Sequence, residues 1–353
     1  MKEKNKFKWQ LPISVLILII AIAIGVVTVV FSGTKPIIWL LAVPAWVVTV
    51  WLTSLFHEFG HYLAAVSSGF EVYYFSFSNF VFDRAGRKRF KAVFQDEHLG
   101  EIRFFPKKEG VYHQMLKRTL RGGINGALVL AVIFAVVLFL AVFRVFGSEA
   151  SPIIAVAFSF APYTVYSLLI NAVAWFHPEN DGSQIKIINK SDSERQAIDN
   201  FYSITKELFN GKTYNEIPKC YFTVDYNVTE GVKVPIMVYA LRRAATIGDK
   251  ELENSIASAL ISMRVSETEA VCELLCKYIA DKNEELVTEL SEVLSFCDGD
   301  DTPVVLRARL AYAKYRGDND FFNVLKPTAI KVCEQQKLCV GDAKYQLNEI
   351  NKL

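Results

Sequence analysis

Three residues within five positions have the side chains and the spacing of a metal-dependent hydrolase. His57, Glu58 and His61 form the pattern H-E-x-x-H. On a helix, residues four positions apart share one face, so both imidazoles can bind a single zinc ion. Glu58 lies beside them, where it can take a proton from water at the metal. The pattern therefore predicts His57 and His61 as metal ligands and Glu58 as the catalytic base.

A third metal ligand has to come from another part of the chain, because a catalytic zinc usually has three protein ligands and one open position. Asp181 is the predicted third ligand, since it follows the last long apolar stretch and would lie at the depth of the two histidines. Gly182 after it lets the backbone pass close to a metal. His177 competes for this role, and an ordinary carboxylate in a helix-exit turn is the alternative interpretation of Asp181.

The elements that position these residues are apolar. Hydrophobic residues make up 52% of the 353 residues and charged residues 22%. Four stretches of 20 to 25 residues contain no Asp, Glu, Lys or Arg, namely 11–31, 37–56, 122–143 and 152–176. About 20 apolar residues of helix cross a hydrocarbon core of about 30 Å. The sequence thus predicts four transmembrane helices, and it excludes a soluble enzyme, a secreted disulfide scaffold and a disordered chain.

The basic residues predict the orientation of these helices. Four lysines precede the first stretch, and 11 basic residues lie in 66–121, whereas the other two short connections carry one each. The positive-inside rule then places the amino terminus, 66–121 and everything after the fourth stretch in the cytosol. All six cysteines lie after residue 219, which suits free thiols in a reducing compartment. We expect an integral protein of a bacterial cell membrane with both termini cytosolic.

This topology brings the candidate residues to one depth. His57 lies 20 residues after Ile37, or about 30 Å along a helix, and therefore near the cytosolic edge of the bilayer. Asp181 follows the fourth helix at the same edge. Asn171, inside the apolar fourth stretch, needs a hydrogen-bonding partner. Two roles remain open for it: orienting the Asp181 turn or the substrate, and bonding one helix to another.

The remaining segments complete a fold that is mainly α. An aromatic, alternating pattern at about 70–105 predicts a small β element at the membrane interface, with a plain soluble hairpin as the alternative. We expect a basic amino terminus (1–10), a transmembrane core (11–184) and a cytosolic helical domain (185–353). In that domain, turns at Gly248-Asp249, Asp281-Lys282 and Gly317-Asp318 predict helical hairpins. Their spacing suits a tetratricopeptide-like solenoid, with a non-repetitive helical domain as the alternative.

Several of these motifs, in this order, resemble the site-2 protease family of intramembrane zinc metalloproteases. They are His57-Glu58-Phe59-Gly60-His61, Gly69-Phe70-Glu71-Val72, Gly122-Gly123-Ile124-Asn125-Gly126, and Asn171, Pro178 and Asp181-Gly182. The resemblance covers about 37–190 and implies one zinc per chain, bound by the two histidines and the aspartate. It also implies that Glu58 activates the water, that the sheet holds extended substrate and that Asn125 contacts it. The run 176–180 departs from the family's proline- and leucine-rich sequence, which keeps His177 open as a ligand.

The expected activity is hydrolysis of a peptide bond in or near a transmembrane segment of a membrane-anchored substrate. One alternative is a zinc peptidase that matures a small peptide precursor at the cytosolic face. The other is a membrane-anchored helical-repeat scaffold without catalysis. A cytosolic protein partner is expected on 185–353, whereas nucleic acid is not, because the basic runs adjoin the membrane spans.

Overall fold

The computed structural model describes residues 10–77, 80–83, 100–177, 180–297 and 299–353. The chain divides into two compact units, one ending at Ser191 and the other comprising Asp192–Leu353. Part of the predicted β region, 84–99, lies outside the described residues. The predicted boundary at 184/185 falls within a helix of the first unit.

The first unit contains four helical segments, among its described residues, that are long and apolar enough to cross a membrane. Its helices are α1 (Gln10–Phe31), α2 (Ala42–Ser68), α3 (Tyr112–Val142), α4 (Ala150–Ala157), α5 (Ala161–Ala172) and α6 (Asp181–Ile188), with a 3-10 helix at Pro36–Leu41 before α2. The described residues contain four candidate spans: Pro12–Phe31, Pro36–Ser68, Tyr112–Val142 and Ala150–Ala172. Apolar side chains cover much of their outer surface. These features indicate a membrane protein and agree with the four predicted stretches.

The fourth span is interrupted, because α4 ends at Ala157 and α5 begins at Ala161. Pro162 lies in the first turn of α5, where its missing N–H breaks no helical hydrogen bond. Ser159 in the break is fully buried, and its carbonyl oxygen lies against Gly25 of α1. The break therefore lets α1 approach the backbone of this span closely.

A three-stranded antiparallel sheet follows α2. The chain leaves α2 through Gly69, whose φ of 100° is one that glycine adopts without strain. The strands are β1 (Phe70–Phe77), β2 (Phe80–Asp83) and β3 (Gly100–Pro106), and they lie in the order β2-β1-β3. Phe70 pairs with Pro106 and Phe77 with Gly100, so β3 runs back toward α2. This confirms a small sheet within the predicted region.

The second unit is helical throughout its described regular structure. It contains α7 (Asp192–Phe209), α8 (Glu230–Ile247), α9 (Lys250–Ser262), α10 (Thr268–Ala280), α11 (Glu284–Ser291), α12 (Val293–Phe296), α13 (Pro303–Arg316), α14 (Asn319–Glu334) and α15 (Val340–Lys352), with a 3-10 helix at Lys219–Phe222. The three predicted turns separate α8 from α9, α10 from α11 and α13 from α14. A regular solenoid stays a prediction.

The turns of this unit follow from their residue types. Gly248 and Gly317 each have a φ of 73°, which ends α8 and α13. The next residue, Asp249 or Asp318, accepts a hydrogen bond from a backbone N–H of the following helix. Asn283 caps α11 in the same way. Glycine thus ends one helix and a short polar side chain begins the next.

Buried ion pairs connect four of these helices. The Arg242 guanidinium of α8 donates from Nε to Glu273 of α10 over 2.7 Å and from Nη1 to Asp342 of α15 over 3.0 Å. Arg307 of α13 also donates to Glu273. Tyr214 donates its hydroxyl to Asp342 over 2.6 Å. Removal of one partner would leave an uncompensated charge in the core of this unit.

The six cysteines of the second unit are free. Cys272, Cys297 and Cys333 are buried, and Cys220 is exposed. This confirms the prediction of unpaired thiols.

Candidate metal centre

The two histidines of the H-E-x-x-H pattern lie on the buried face of α2. Their side chains project from positions one helical turn apart, and the residues are 9% and 4% exposed. The rings of His57 and His61 are nearly perpendicular, with centroids 4.7 Å apart. Their Nε2 atoms are 3.2 Å apart. Each imidazole therefore directs its Nε2 atom toward the same point, as the spacing predicts.

Asp181 brings a carboxylate oxygen to the same point. It is the first residue of α6 and is buried. Its Oδ2 atom lies 3.4 Å from Nε2 of His57 and 3.3 Å from Nε2 of His61. Among the described residues, His57, His61 and Asp181 form a group whose ligand atoms could hold a metal ion.

The triangle of ligand atoms has the dimensions of a coordination shell. In a tetrahedral site with bonds of about 2.1 Å, neighbouring ligand atoms are about 3.4 Å apart. The three separations observed here are 3.2, 3.3 and 3.4 Å. The Asp181 Oδ2 atom is also buried without a hydrogen-bond donor. Three acceptor atoms this close repel one another unless a cation or a proton lies between them, so the residues fit a bound metal.

The helix α3 fixes the orientation of His61. The Nδ1–H of this ring donates to the Thr119 carbonyl oxygen over 2.8 Å, which leaves a lone pair on Nε2 for a metal. The Cα atom of Gly123, one turn further along α3, lies against the ring: a Cβ there would be 2.2 Å from His61 Nε2. Only glycine fits at this position without displacing the imidazole.

Close packing of α2 on α3 depends on further glycines. A Cβ on Gly60 would be 2.2 Å from the Gly122 carbonyl oxygen, and one on Gly126 would be 2.1 Å from the Phe56 carbonyl oxygen. Small residues one turn apart let two helix backbones touch, and this packing is common between membrane helices. The glycine-rich start of the third stretch therefore serves helix packing as well as the histidine.

Glu58 is buried beside the ligands and lies under the start of β3. A Cβ on Gly100 would be 2.4 Å from Cγ and 2.6 Å from Oε1 of Glu58. The first residue of β3 thus covers the carboxylate with backbone alone. The sequence predicted Glu58 but did not single out Gly100, since this contact depends on how the sheet folds back over α2.

The connection before α6 holds Asp181 in place. Asn180 accepts a hydrogen bond from the Ser183 N–H over 2.8 Å and is the N-cap of α6. A Cβ on Gly182 would be 2.1 Å from the Ala172 carbonyl oxygen, so α6 begins in backbone contact with the end of α5. Asparagine is a favoured N-cap residue, so Asn180 directly before the helix start at Asp181 is a local signal in the sequence for this role. The predictions above did not include it.

A cavity of about 260 Å³ adjoins the three ligands and Glu58. Asn171 lies in its wall, and the amide of this side chain donates to the Ser167 carbonyl oxygen over 3.0 Å. Asn125 is exposed and is not among the lining residues. It follows Gly123 by two positions, about 200° around α3, so it points away from His61. A substrate contact by Asn125 stays a prediction.

His177, the competing ligand, is exposed and does not belong to the group of three. Its carbonyl oxygen accepts a hydrogen bond from the Ser183 hydroxyl over 2.6 Å. The described geometry therefore favours Asp181 as the third ligand.

Comparisons of the chain with protein-family models, curated proteins and solved structures find no match.

Proposed function

We propose that the protein is an intramembrane zinc metalloprotease of the site-2 protease type. The observation that carries this proposal is the meeting of three metal-binding atoms, from His57, His61 and Asp181, beside the buried carboxylate of Glu58. Two of these ligands belong to Pro36–Ser68, a helical segment apolar enough to span a membrane. A hydrolytic centre on such a segment suits a substrate that is itself in the membrane.

The donor set supports zinc. Two imidazole nitrogens and one carboxylate oxygen in a tetrahedral arrangement are a common set for catalytic zinc, with a fourth position open. His57, His61 and Asp181 would hold one ion per chain. When bound, zinc would polarise the scissile carbonyl and make a water more acidic. Buried ionisable groups in a membrane segment are costly, which further supports a functional role for His57, Glu58 and His61.

Glu58 supplies the acid–base chemistry in this proposal. Its carboxylate accepts a proton from the attacking water and then delivers that proton to the amine that leaves. Gly100 covers Glu58 and excludes bulk water from this side of the carboxylate. The same group thus serves as base and then as acid, and it returns to its starting state after each cycle.

The strand β3 is suited to hold an extended substrate. It pairs with β1 along one edge, and within the described residues its other edge has no strand beside it. Glu101, Ile102 and Phe104 of β3 line the cavity next to the ligands. A substrate helix must unwind before its carbonyls can be attacked, and pairing with β3 would replace the hydrogen bonds that it loses. The proposed substrate is therefore a transmembrane or membrane-anchored peptide.

The positive-inside rule supports the proposed orientation, with both termini cytosolic. The proposed membrane is that of a bacterial cell. In this orientation α2 and α5 would end at the cytosolic side, and cleavage would take place near that face of the bilayer.

The test is replacement of Glu58 by Gln in the purified full-length protein. We expect Glu58→Gln to keep about one zinc per chain, because the three ligands remain, and to stop cleavage of a membrane-anchored reporter peptide in liposomes. His61→Ala, as the matched variant, should lose both zinc and cleavage. Cleavage by Glu58→Gln at the wild-type rate would refute the role of Glu58, and metal-free wild-type protein would refute the enzyme.

Two outcomes lead to the other candidate functions. If the cleaved bond lies outside a hydrophobic stretch, a peptidase that matures a small precursor is the better description. A metal-free protein would instead favour a membrane-anchored scaffold. The scaffold has its own support, because helices α8, α9, α10, α13 and α15 line an open cavity of about 750 Å³ that is large enough for a peptide ligand.

A further inference from the structure

We infer that Asn180 is a positioning residue: its side chain holds the Asp181 carboxylate against the two histidines, and the metal affinity of the site depends on it. The inference rests on the proposed function only in that it requires a metal ion bound by His57, His61 and Asp181. It does not require that the protein cleave peptides. Asn180 itself does not belong to the metal-binding group.

The need for a positioning residue follows from where Asp181 stands in the chain. Helix α5 ends at Ala172 and α6 begins at Asp181, so the ligand follows a connection of eight residues. The described part of this connection, 173–177 and 180, contains no helix. His57 and His61 are held by the regular backbone of one long helix, and His61 also donates to Thr119. Asp181 has no such support from its own element, because it is the first residue of an eight-residue helix.

Asn180 supplies that support with both ends of its amide. The Nδ2 group donates to the carbonyl oxygens of Ile170, over 2.5 Å, and Val173, over 2.9 Å. These carbonyls lie at the end of α5, where a helix leaves its last acceptors without partners. The Oδ1 atom accepts from the Ser183 N–H over 2.8 Å. One side chain, 7% exposed, therefore joins the end of α5 to the start of α6, immediately before the ligand.

Ser183 and Gly182 make the same connection from the other side of Asp181. The Ser183 hydroxyl lies 2.7 Å from the Ala174 carbonyl oxygen and 2.6 Å from the His177 carbonyl oxygen. Gly182 brings the α6 backbone against the Ala172 carbonyl oxygen, where a Cβ would be only 2.1 Å away. The residues on both sides of the carboxylate are thus tied to the end of α5.

Loss of this support has a specific consequence at the metal. The three ligand atoms repel one another when neither a cation nor a proton lies between them, so an unsupported Asp181 would then turn away from the histidines. Residues that orient a metal ligand typically contribute a factor of about 10 to 100 in metal affinity. Since His57 and His61 do not depend on Asn180, zinc would keep its two nitrogen neighbours and lose the carboxylate oxygen.

The experiment measures zinc affinity of the full-length protein in detergent by competition with a chromophoric chelator. Asn180→Ala removes all three hydrogen bonds and should weaken zinc binding about 10- to 100-fold. Asn180→Asp keeps an oxygen for the Ser183 N–H but cannot donate to the α5 carbonyls, so it should also bind zinc more weakly. The control is Asn283→Ala, which removes a similar N-cap from α11, in the second unit, and should leave zinc affinity unchanged.

X-ray absorption at the zinc edge distinguishes positioning from general destabilisation. In both Asn180 variants we expect two nitrogen neighbours to remain while the ordered protein oxygen is lost. Wild-type zinc affinity in Asn180→Ala would overturn the inference. Wild-type zinc affinity in Asn180→Asp would also overturn the inference, because it would show that the hydrogen bonds to the α5 carbonyls do not hold Asp181 in place. Asn180→Asp has nearly the same shape as the wild type, so it provides the test if Asn180→Ala does not fold. Zinc binding by the wild type without peptide cleavage would refute the proposed function and leave this inference standing.

Discussion

The contact between Gly123 and His61 allows a sharp test of the metal site. A methyl group added at Gly123 would be 2.2 Å from Nε2, 2.3 Å from Cε1 and 2.7 Å from Cδ2 of the His61 ring. Carbon and nitrogen atoms that are not bonded normally stay at least about 3.5 Å apart. In Gly123→Ala the imidazole must therefore move by about 1 Å or more, because the helix backbone that carries the new methyl group cannot easily yield.

A displacement of this size removes one metal ligand. Metal–ligand bond lengths in proteins are held within about 0.2 Å, so the new position of Nε2 would be several times outside the tolerated range. We expect zinc affinity to fall at least 100-fold, which corresponds to about 2.7 kcal/mol. Global stability should fall much less, since the helix propensity of alanine, about 1 kcal/mol better than that of glycine, offsets part of the cost of the clash, about 1 to 3 kcal/mol. The two effects therefore separate metal binding from folding.

The assay compares zinc affinity and thermal unfolding of Gly123→Ala with those of the wild type. Gly231→Ala is the matched control, because Gly231 is also helical but has open space around its Cα atom. It should keep the wild-type zinc affinity. If Gly123→Ala binds zinc as tightly as the wild type, the position of His61 in the site is wrong.

Three further predictions concern the second unit and the orientation of the chain. Arg242→Ala should destabilise 192–353 by about 3 to 5 kcal/mol, because it leaves buried carboxylates without their partner; hydrogen exchange of peptides from this unit measures the change. Burial alone would raise the pKa of the Glu273 carboxyl, but Arg307 and Arg242 outweigh burial and lower that pKa from 4.5 to about 2. A carboxyl whose pKa is lower in the folded state stabilises the fold above its unfolded pKa. The free energy of unfolding should therefore fall by about 3 kcal/mol as the pH falls from 4.5 toward 2. Hydrogen exchange of the same peptides across this pH range measures the change, and the absence of such a loss would contradict the buried pairs. The exposed thiol of Cys220 should react with a membrane-impermeant maleimide only after cells are permeabilised, with Cys220→Ser as the control; labelling of intact cells would reverse the predicted orientation.

The features that the sequence predicted are those with a short-range signal. His57 and His61 could be placed on one face because helical periodicity fixes their relation. The four apolar stretches long enough to span a membrane follow from composition, and the turns at Gly248 and Gly317 follow from a residue that tolerates positive φ. Asp181 could be chosen because membrane spans restrict the depth at which a partner can lie. In each of these cases the constraint acts within a single helix or turn or, for Asp181, along the direction perpendicular to the membrane.

The contacts that the sequence did not predict depend on how separate elements pack. Gly100 covers Glu58 only because β3 pairs with β1 and runs back over α2. Asn180 finds its acceptors at the end of α5, and the path of the connection to α6 has no periodic signal. The motif that includes Asn125 was predicted from a resemblance, whereas the direction of its side chain depends on the rotation of α3 against α2. Such relations are set by packing over the whole membrane unit.

The most direct test of the central claim is zinc-edge X-ray absorption of the purified full-length wild-type protein, together with its zinc content. The account predicts about one zinc per chain with two imidazole nitrogens and oxygen neighbours at about 2.0 to 2.2 Å, and loss of one imidazole in His61→Ala. Sulfur neighbours at about 2.3 Å would instead indicate binding by the free cysteines. Either that result or the absence of bound zinc would contradict a metal centre formed by His57, His61 and Asp181.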